Sequence, residues 1–220
     1  LYGLCCGYED LNDHIALRND PLMQTAVGTG QALGSTSTLC RMEQGASRAD
    51  VVALNRVLVE QFIAAQATPP EELVLDIDAS DIRLHGDQER AQFHAYYDHY
   101  CYLPLYVFAG KSLLACVLRN SRIDGAKHAA ALIKLLVTRL RQAWPALRVI
   151  VRADSGFCRQ RLIRWCERNA VGYVIGLARN ARLHRAVEGW ERLMQERHND
   201  SGQKQRLIRQ FHYGADSWDK

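Results

Sequence analysis

The chain has 220 residues, 48% hydrophobic and 24% charged, with 15 glycines and 5 prolines; this is globular composition and excludes a fibrous or low-complexity protein. Its mean hydropathy is −0.24, and no apolar run approaches the roughly 20 residues that a membrane-spanning helix needs, so an integral helical membrane protein is excluded. The net charge is +4, and the seven cysteines form no CxxC pair, so they read as reduced thiols of a cytoplasmic protein, mostly buried as small apolar residues.

Residues 1–66 read as helical. Leu11 and Ile15 have helical spacing. Leu33 to Glu43 reads as a glycine turn, a Ser/Thr N-cap and a short helix. Val51 to Ala65 predicts a long amphipathic helix with Val51, Leu54, Leu58 and Phe62 on one face. Thr68-Pro69-Pro70 ends it and marks a domain boundary, which divides the chain into a helical region, 1–70, and a second domain, 71–220.

Beyond the boundary the period changes. Leu73 to Ala79 predicts a strand, and Ser80 to Gln92 a polar stretch. Tyr96 to Phe108 predicts a second strand, joined by the turn Ala109-Gly110-Lys111 to a third, Ser112 to Leu118. Asp124-Gly125 opens a helix with Leu132, Leu136 and Leu140 in line, stopped by Pro145. Leu147 to Ala153 is a fourth strand ending at Asp154, Arg159 to Asn169 a helix, and Gly172 to Ala178 a fifth strand; a helix from Leu183 to Arg197 and a polar tail follow. In this β-β-β-α-β-α-β order the first three strands form an antiparallel meander and α crossovers add the rest. The fourth strand then lies beside the first, in parallel. That arrangement is the mixed α/β sheet of the ribonuclease H-like fold.

Charge is distributed unevenly. Residues 71–98 hold eight acids against two bases, a balance of −6, whereas residues 139–185 hold eleven arginines against two acids, a balance of +9. An acidic cluster beside an Arg-rich region suits a protein that holds cations and binds a polyanion; a patchy solvated surface is the plainer account. Metal-dependent phosphodiester chemistry needs carboxylates that converge from different strands, because hard divalent cations select carboxylate oxygens. Two places meet that condition: Asp78 or Asp76 on the first strand, and Asp154 at the end of the fourth. Asp76 and Asp78 share a face, so strand parity does not separate them. Asp78 lies nearer the strand exit and precedes the small pair Ala79-Ser80, which favours it. Either acid also reads as a strand-end or turn Asp that caps backbone.

The segments Leu75-Asp76-Ile77-Asp78-Ala79-Ser80-Asp81, His85-Gly86-Asp87-Gln88-Glu89, Tyr96 to Phe108 and Arg152-Ala153-Asp154-Ser155-Gly156-Phe157 resemble the bacterial insertion-sequence transposases with a group 1 DDE domain. The resemblance runs over most of residues 1–200. It implies a ribonuclease H-like catalytic domain that cuts and joins double-stranded DNA at transposon ends and target with Mg²⁺ (or Mn²⁺). It further implies a homo-oligomer assembled on DNA in the bacterial cytoplasm, at the nucleoid. The family's first two acids map onto Asp78 and Asp154. Its third, a Glu on a later helix, has no match, since Glu188, Glu191 and Glu196 precede its expected place. The chain also lacks an initiator Met and a secretory leader, so it reads as an internal piece with a C-terminally incomplete catalytic domain, expected to bind DNA and cleave it poorly.

Other constellations carry their own alternatives. Arg161, Arg164 and Arg168 fall on one helix face, with Leu162, Ile163 and Cys166 turned to the sheet, and are candidates for phosphate contact or an exposed face. His85 is a candidate for touching substrate or an ordinary loop histidine. The tyrosines 96, 97, 100, 102 and 106 suit sheet packing more than base stacking. His85, His94, His99 and Cys101 match no zinc-finger spacing. Leu33 to Glu43 also suits half of a helix-turn-helix, which makes a DNA-binding module without chemistry, or an inactive transposase remnant, the alternative reading.

Overall fold

The structure is a computed structural model that describes residues 1–214 and residue 218. In chain order the elements are α1 (Tyr2–Cys5), a 3-10 turn (Leu11–Asp13), α2 (His14–Leu17), α3 (Pro21–Val27), α4 (Thr36–Gln44), α5 (Arg48–Ala64), β1 (Glu72–Ala79), β2 (Ile82–Arg83), β3 (Gln92–His94), β4 (His99–Tyr102), β5 (Leu105–Ala109), β6 (Ser112–Val117), α6 (Ala129–Ala143), β7 (Arg148–Ala153), a 3-10 turn (Ser155–Phe157), α7 (Gln160–Arg168), β8 (Gly172–Ile175) and α8 (Ala181–Ser201). They form two compact units, Leu1–Val57 and Leu58–Lys220.

The first unit consists of short helices started by side-chain caps. Asp20 accepts a hydrogen bond from the Met23 amide ahead of Pro21, and Ser35 accepts one from the Thr38 amide. Leu17 is its buried apolar anchor.

The second unit is built on a five-stranded sheet in the order β6-β5-β1-β7-β8. β1 pairs antiparallel with β5, and β5 with β6; β1 pairs parallel with β7, and β7 with β8. This is the ribonuclease H-like mixed sheet that the element order predicts. Alternation puts Leu75 and Ile77 of β1, Leu105 and Val107 of β5, and Val149 and Val151 of β7 in the core. Ile133, Leu136, Val137 and Leu140 of α6 and Leu162 and Cys166 of α7 join the same core. Burial pushes the Cys166 thiol up to about 11, so it serves as a small apolar residue.

The end of α5 belongs to this core through Val59, Phe62 and Ile63, with Phe62 edge-to-face on Trp144 at 6.1 Å. The face predicted from Val51, Leu54, Leu58 and Phe62 is not covered along its length: Val51 and Leu54 are exposed. Helical spacing marks a face but not how much of it is covered.

Three further expectations are corrected. The strand expected over Tyr96 to Phe108 is two strands, β4 and β5, separated by Leu103-Pro104. Pro104 has no amide to donate, and the Leu103 amide donates to the Arg119 carbonyl instead of continuing a ladder. The polar stretch Ser80 to Gln92 contains β2 and the start of β3, and these pair with β4 as a separate sheet, β2-β4-β3. The helix expected from Asp124 begins at Ala129, because His128 is left-handed at φ 73° and breaks the helical path.

Past β8 the backbone presses on the turn after β7. The Gly176 amide donates to the Ala153 carbonyl at 3.1 Å, and a Cβ on Gly176 would lie 2.8 Å from the Ser155 nitrogen. Those neighbours are backbone and cannot swing aside, so only glycine permits this approach. Gly176→Ala is expected to destabilise the unit by about 1–3 kcal/mol through overpacking, measured by urea unfolding.

Candidate active site

The register of β1 on β7 sets Asp76 opposite Arg152 and Ile77 opposite Ala153. The pairing ends there: Asp78 follows Ile77 near the end of β1, and Asp154 follows Ala153 as the first residue past β7. Neighbouring strands lie about 4.8 Å apart, so the two acids lie at the same end of adjacent parallel strands. Both residues are exposed, on the face of the sheet opposite the one that carries Leu75 and Ile77.

Each acid is steadied through one oxygen. Asp78 Oδ1 accepts from the Ala79 amide at 2.8 Å, and Asp154 Oδ1 accepts from the Gly156 amide at 2.8 Å, capping the 3-10 turn. Asp154 is therefore both a turn cap and one of the acid pair. Among the described residues neither Oδ2 accepts a hydrogen bond. Asp76, the alternative ligand, has both oxygens engaged: Arg152 Nε donates to Oδ1 at 2.5 Å and Nη2 donates to Oδ2 at 2.9 Å.

Three segments pack around the end of β1. The β2-β4-β3 sheet brings His99 Nε2 to Asp81 Oδ2 at 2.7 Å. Burial, reinforced by the charges of Asp81 and Asp78, raises the pKa of the Tyr97 hydroxyl, whose ring packs on His94 and His99. The loop from β6 to α6 reaches β1 at Gly125, where a Cβ would lie 3.8 Å from that of Ala79. Arg119, buried at 6% exposure, organises that loop by donating to the carbonyls of Leu103, Gly125 and Lys127. Burial lowers its pKa, and the charge of Asp124 opposes that shift. Arg159, just past the turn after β7, closes the third side by donating to Asp124 Oδ2 at 2.7 Å.

The remaining candidates lie apart in kind. Arg161 and Arg168 are exposed on α7 and Arg164 is half-buried, so the arginine stripe is not a uniform solvated face. His85 is exposed on the connection between β2 and β3, ahead of Gly86 with φ 112°. His94 sits opposite His99 across β3 and β4, and Cys101 is buried. Glu188, Glu191 and Glu196 all lie on α8, with Glu188 accepting from Arg192 at 3.2 Å. Among the described residues no group of three or more His, Cys, Asp or Glu side chains is arranged to hold a metal ion. Sequence reasoning missed Arg152, the Asp124–Arg159 pair and the Asp81–His99 pair. For Arg152 a signal was present, since it shares strand parity with Asp154; the other two join residues far apart in sequence, Asp124 with Arg159 and Asp81 with His99 at the start of β4, and have no sequence signature.

The sequence model of the family described as transposase DDE domain, group 1, matches residues 1–220. The chain belongs to that family. Membership places this transposase domain in DNA transposition. Among solved structures it is similar to the catalytic domain of Mos1 mariner transposase, at 11% identity and a TM-score of 0.35, over 68% of this chain and 69% of that one. The piggyBac transposase synaptic complex with hairpin DNA is 14% identical with a TM-score of 0.38, over 78% of this chain and 41% of that one. The HTLV-2 integrase catalytic core in complex with magnesium is 11% identical with a TM-score of 0.28, over 62% of this chain and 79% of that one. Values this low mark distant likeness, and membership rests on the family model. No curated protein matches the chain. Among the described residues no helix is long and apolar enough to cross a membrane.

The loop that flanks the acid pair has a pH signature. Burial pushes the Asp124 carboxyl up, but the hydrogen bond from Arg159, the Ala126 amide and the charges of Arg159 and Arg119 outweigh it and hold the pKa below its ordinary value. A lowered folded pKa gives stability that is present above the unfolded value, about 3.9, and lost as pH falls through the folded one. Both partners are about half exposed, so the contribution is under about 1 kcal/mol. Asp124→Asn is therefore expected to cost little at pH 7 and to flatten the loss of stability below about pH 4, measured by thermal melts across pH.

Proposed function

We propose that this domain cuts DNA strands at transposon ends and joins the freed 3′-hydroxyl to target DNA, using a divalent cation held by Asp78 and Asp154. The observation that supports the reading is the parallel register of β1 on β7, which pairs Ile77 with Ala153, the residues just before the two acids. Their donor chemistry fits Mg²⁺ or Mn²⁺: two hard carboxylates, exposed, each with one oxygen that accepts no hydrogen bond among the described residues. When bound, such an ion polarises the phosphodiester and promotes ionisation of the attacking hydroxyl.

The chain's own residues supply the rest. The amides of Ala79 and Gly156 orient the two carboxylates. Arg161, Arg164, Arg168 and His85 are assigned to the phosphate backbone, in keeping with the +9 balance of residues 139–185. Residues 1–70 are assigned to DNA binding or assembly, with Ser35 capping α4 as the second half of a candidate helix pair after α3. The protein is assigned to a bacterial insertion sequence, acting as a homo-oligomer on double-stranded DNA at the nucleoid.

Nicking of supercoiled plasmid by a protein that contains residues 1–220 tests the chemistry. Asp78→Asn and Asp154→Asn are each expected to lower Mg²⁺-dependent nicking by about a hundredfold or more with the fold intact. Glu188→Gln, Glu191→Gln and Glu196→Gln test α8 as a source of a third carboxylate. Nicking that persists in Asp154→Asn overturns the mechanism, and gel-shift binding that survives chelator without any nicking favours a binding module.

DNA affinity should also fall steeply with salt as counterions are displaced from phosphate. Replacing Arg161, Arg164 and Arg168 together is expected to reduce the slope of log K on log salt by about two to three. An unchanged slope would mark the stripe as a solvated face.

A further inference from the structure

The Asp76–Arg152 pair of β1 and β7 lies two residues inward from Asp78 and Asp154. Arg152 presents its guanidinium fork to both oxygens of Asp76. Its other neighbours on that face are apolar. Phe108 of β5 stands opposite Asp76, and Val174 of β8 stands opposite Arg152. One step back along the strands are Val74 and Ile150. The charged neighbours left to Arg152 in that register are therefore the two acids ahead of it. Asp154 is two residues along the extended chain, just past β7 and about 6.6 Å away between Cα atoms, within the span of an arginine side chain.

We propose that Asp76 is a positioning residue that holds Arg152 away from the acid pair. Without it, Arg152 is a tethered cation that neutralises Asp78 and Asp154 and competes with the divalent ion. The inference rests on the reading of Asp78 and Asp154 as metal ligands. Charge arithmetic supplies its sign. With the pair closed, Asp76 and Arg152 cancel beside an acid pair of charge −2. Removing Asp76 leaves +1 beside it, and removing Arg152 leaves −1 more. A merely structural pair, which only keeps the strands in register, would weaken metal binding whichever partner is lost.

Mn²⁺ titration followed by the electron paramagnetic resonance of the free ion decides between them, on the 220-residue chain and its variants. Asp76→Asn is expected to weaken Mn²⁺ binding about threefold to tenfold. Arg152→Gln should bind Mn²⁺ at least as tightly as the unaltered chain, even where thermal melts show it less stable. The double variant should regain the unaltered affinity. Unchanged binding in Asp76→Asn overturns the proposal, as does weakened binding in Arg152→Gln or in the double variant. Should Asp76→Asn not fold, Arg152→Gln alone decides. Asp78→Asn is the reference: if it leaves Mn²⁺ binding unchanged, the metal-centre reading itself fails, whereas loss in Asp78→Asn with no change in Asp76→Asn sinks only the positioning role.

Discussion

The in-register parallel pairing of β1 with β7 is the constraint on which the site depends. Residues 76 positions apart in sequence become neighbours through it, Asp76 with Arg152 and Ile77 with Ala153, and Asp78 and Asp154 follow that last pair. Parallel neighbours cannot be joined by a tight turn, so the chain between them supplies β5, β6 and α6 before it returns. The same register buries Leu75 beside Val151 and Ile77 beside Ala153 on the opposite face. A slip of one residue would turn the acids inward and the core residues outward. The hydrophobic core thus specifies the spacing of the carboxylates without touching them.

The end of β1 is supported by elements that each solve a backbone problem. Pro104 ends the outer pairing and lets the chain pass from the three-stranded sheet into β5. Arg119 occupies a place where burying a charged group is costly, and its Nε and Nη1 offset part of the cost by donating to three carbonyls of neighbouring chain. Gly176 allows β8 to close on the turn that carries Asp154. These contacts hold the loops and leave Asp78 and Asp154 exposed at the strand ends.

Electrostatics on this face follow a pattern. Glu72 meets Arg148 at 3.4 Å and Asp76 meets Arg152, whereas the acids at the strand ends, Asp78 and Asp154, are exposed and accept from backbone amides. Solvent screens their charge there. The Arg-rich segment follows directly in sequence, on α7. Negative charge that attracts cations thus lies next in the chain to positive charge suited to phosphate.

Much of this was legible in the residues. Alternation in Leu73 to Ala79 and Leu147 to Ala153 marks two strands, each ending near an acid, and the Leu132, Leu136 and Leu140 line marks the helix between them. Periodicity reports which face a residue takes, so the candidates Asp76, Asp78 and Asp154 were visible with their orientation. It is silent on partners: Asp76 and Asp78 share a face and a chemistry, and only the tertiary pairing with Arg152 separates them. The break at Leu103-Pro104, the small sheet β2-β4-β3 and the late start of α6 were hidden for a related reason. Each is decided by a hydrogen bond or a backbone angle set by distant chain, such as the Leu103 amide on Arg119 or His128 at φ 73°. The sequence by itself determined the strands of the central sheet that carry Asp76, Asp78 and Asp154 and which of their residues face the core, because these follow from local period and residue chemistry. Only the tertiary structure decided which acid keeps an oxygen free and which is held by an arginine, because that depends on residues brought together across 76 positions of chain.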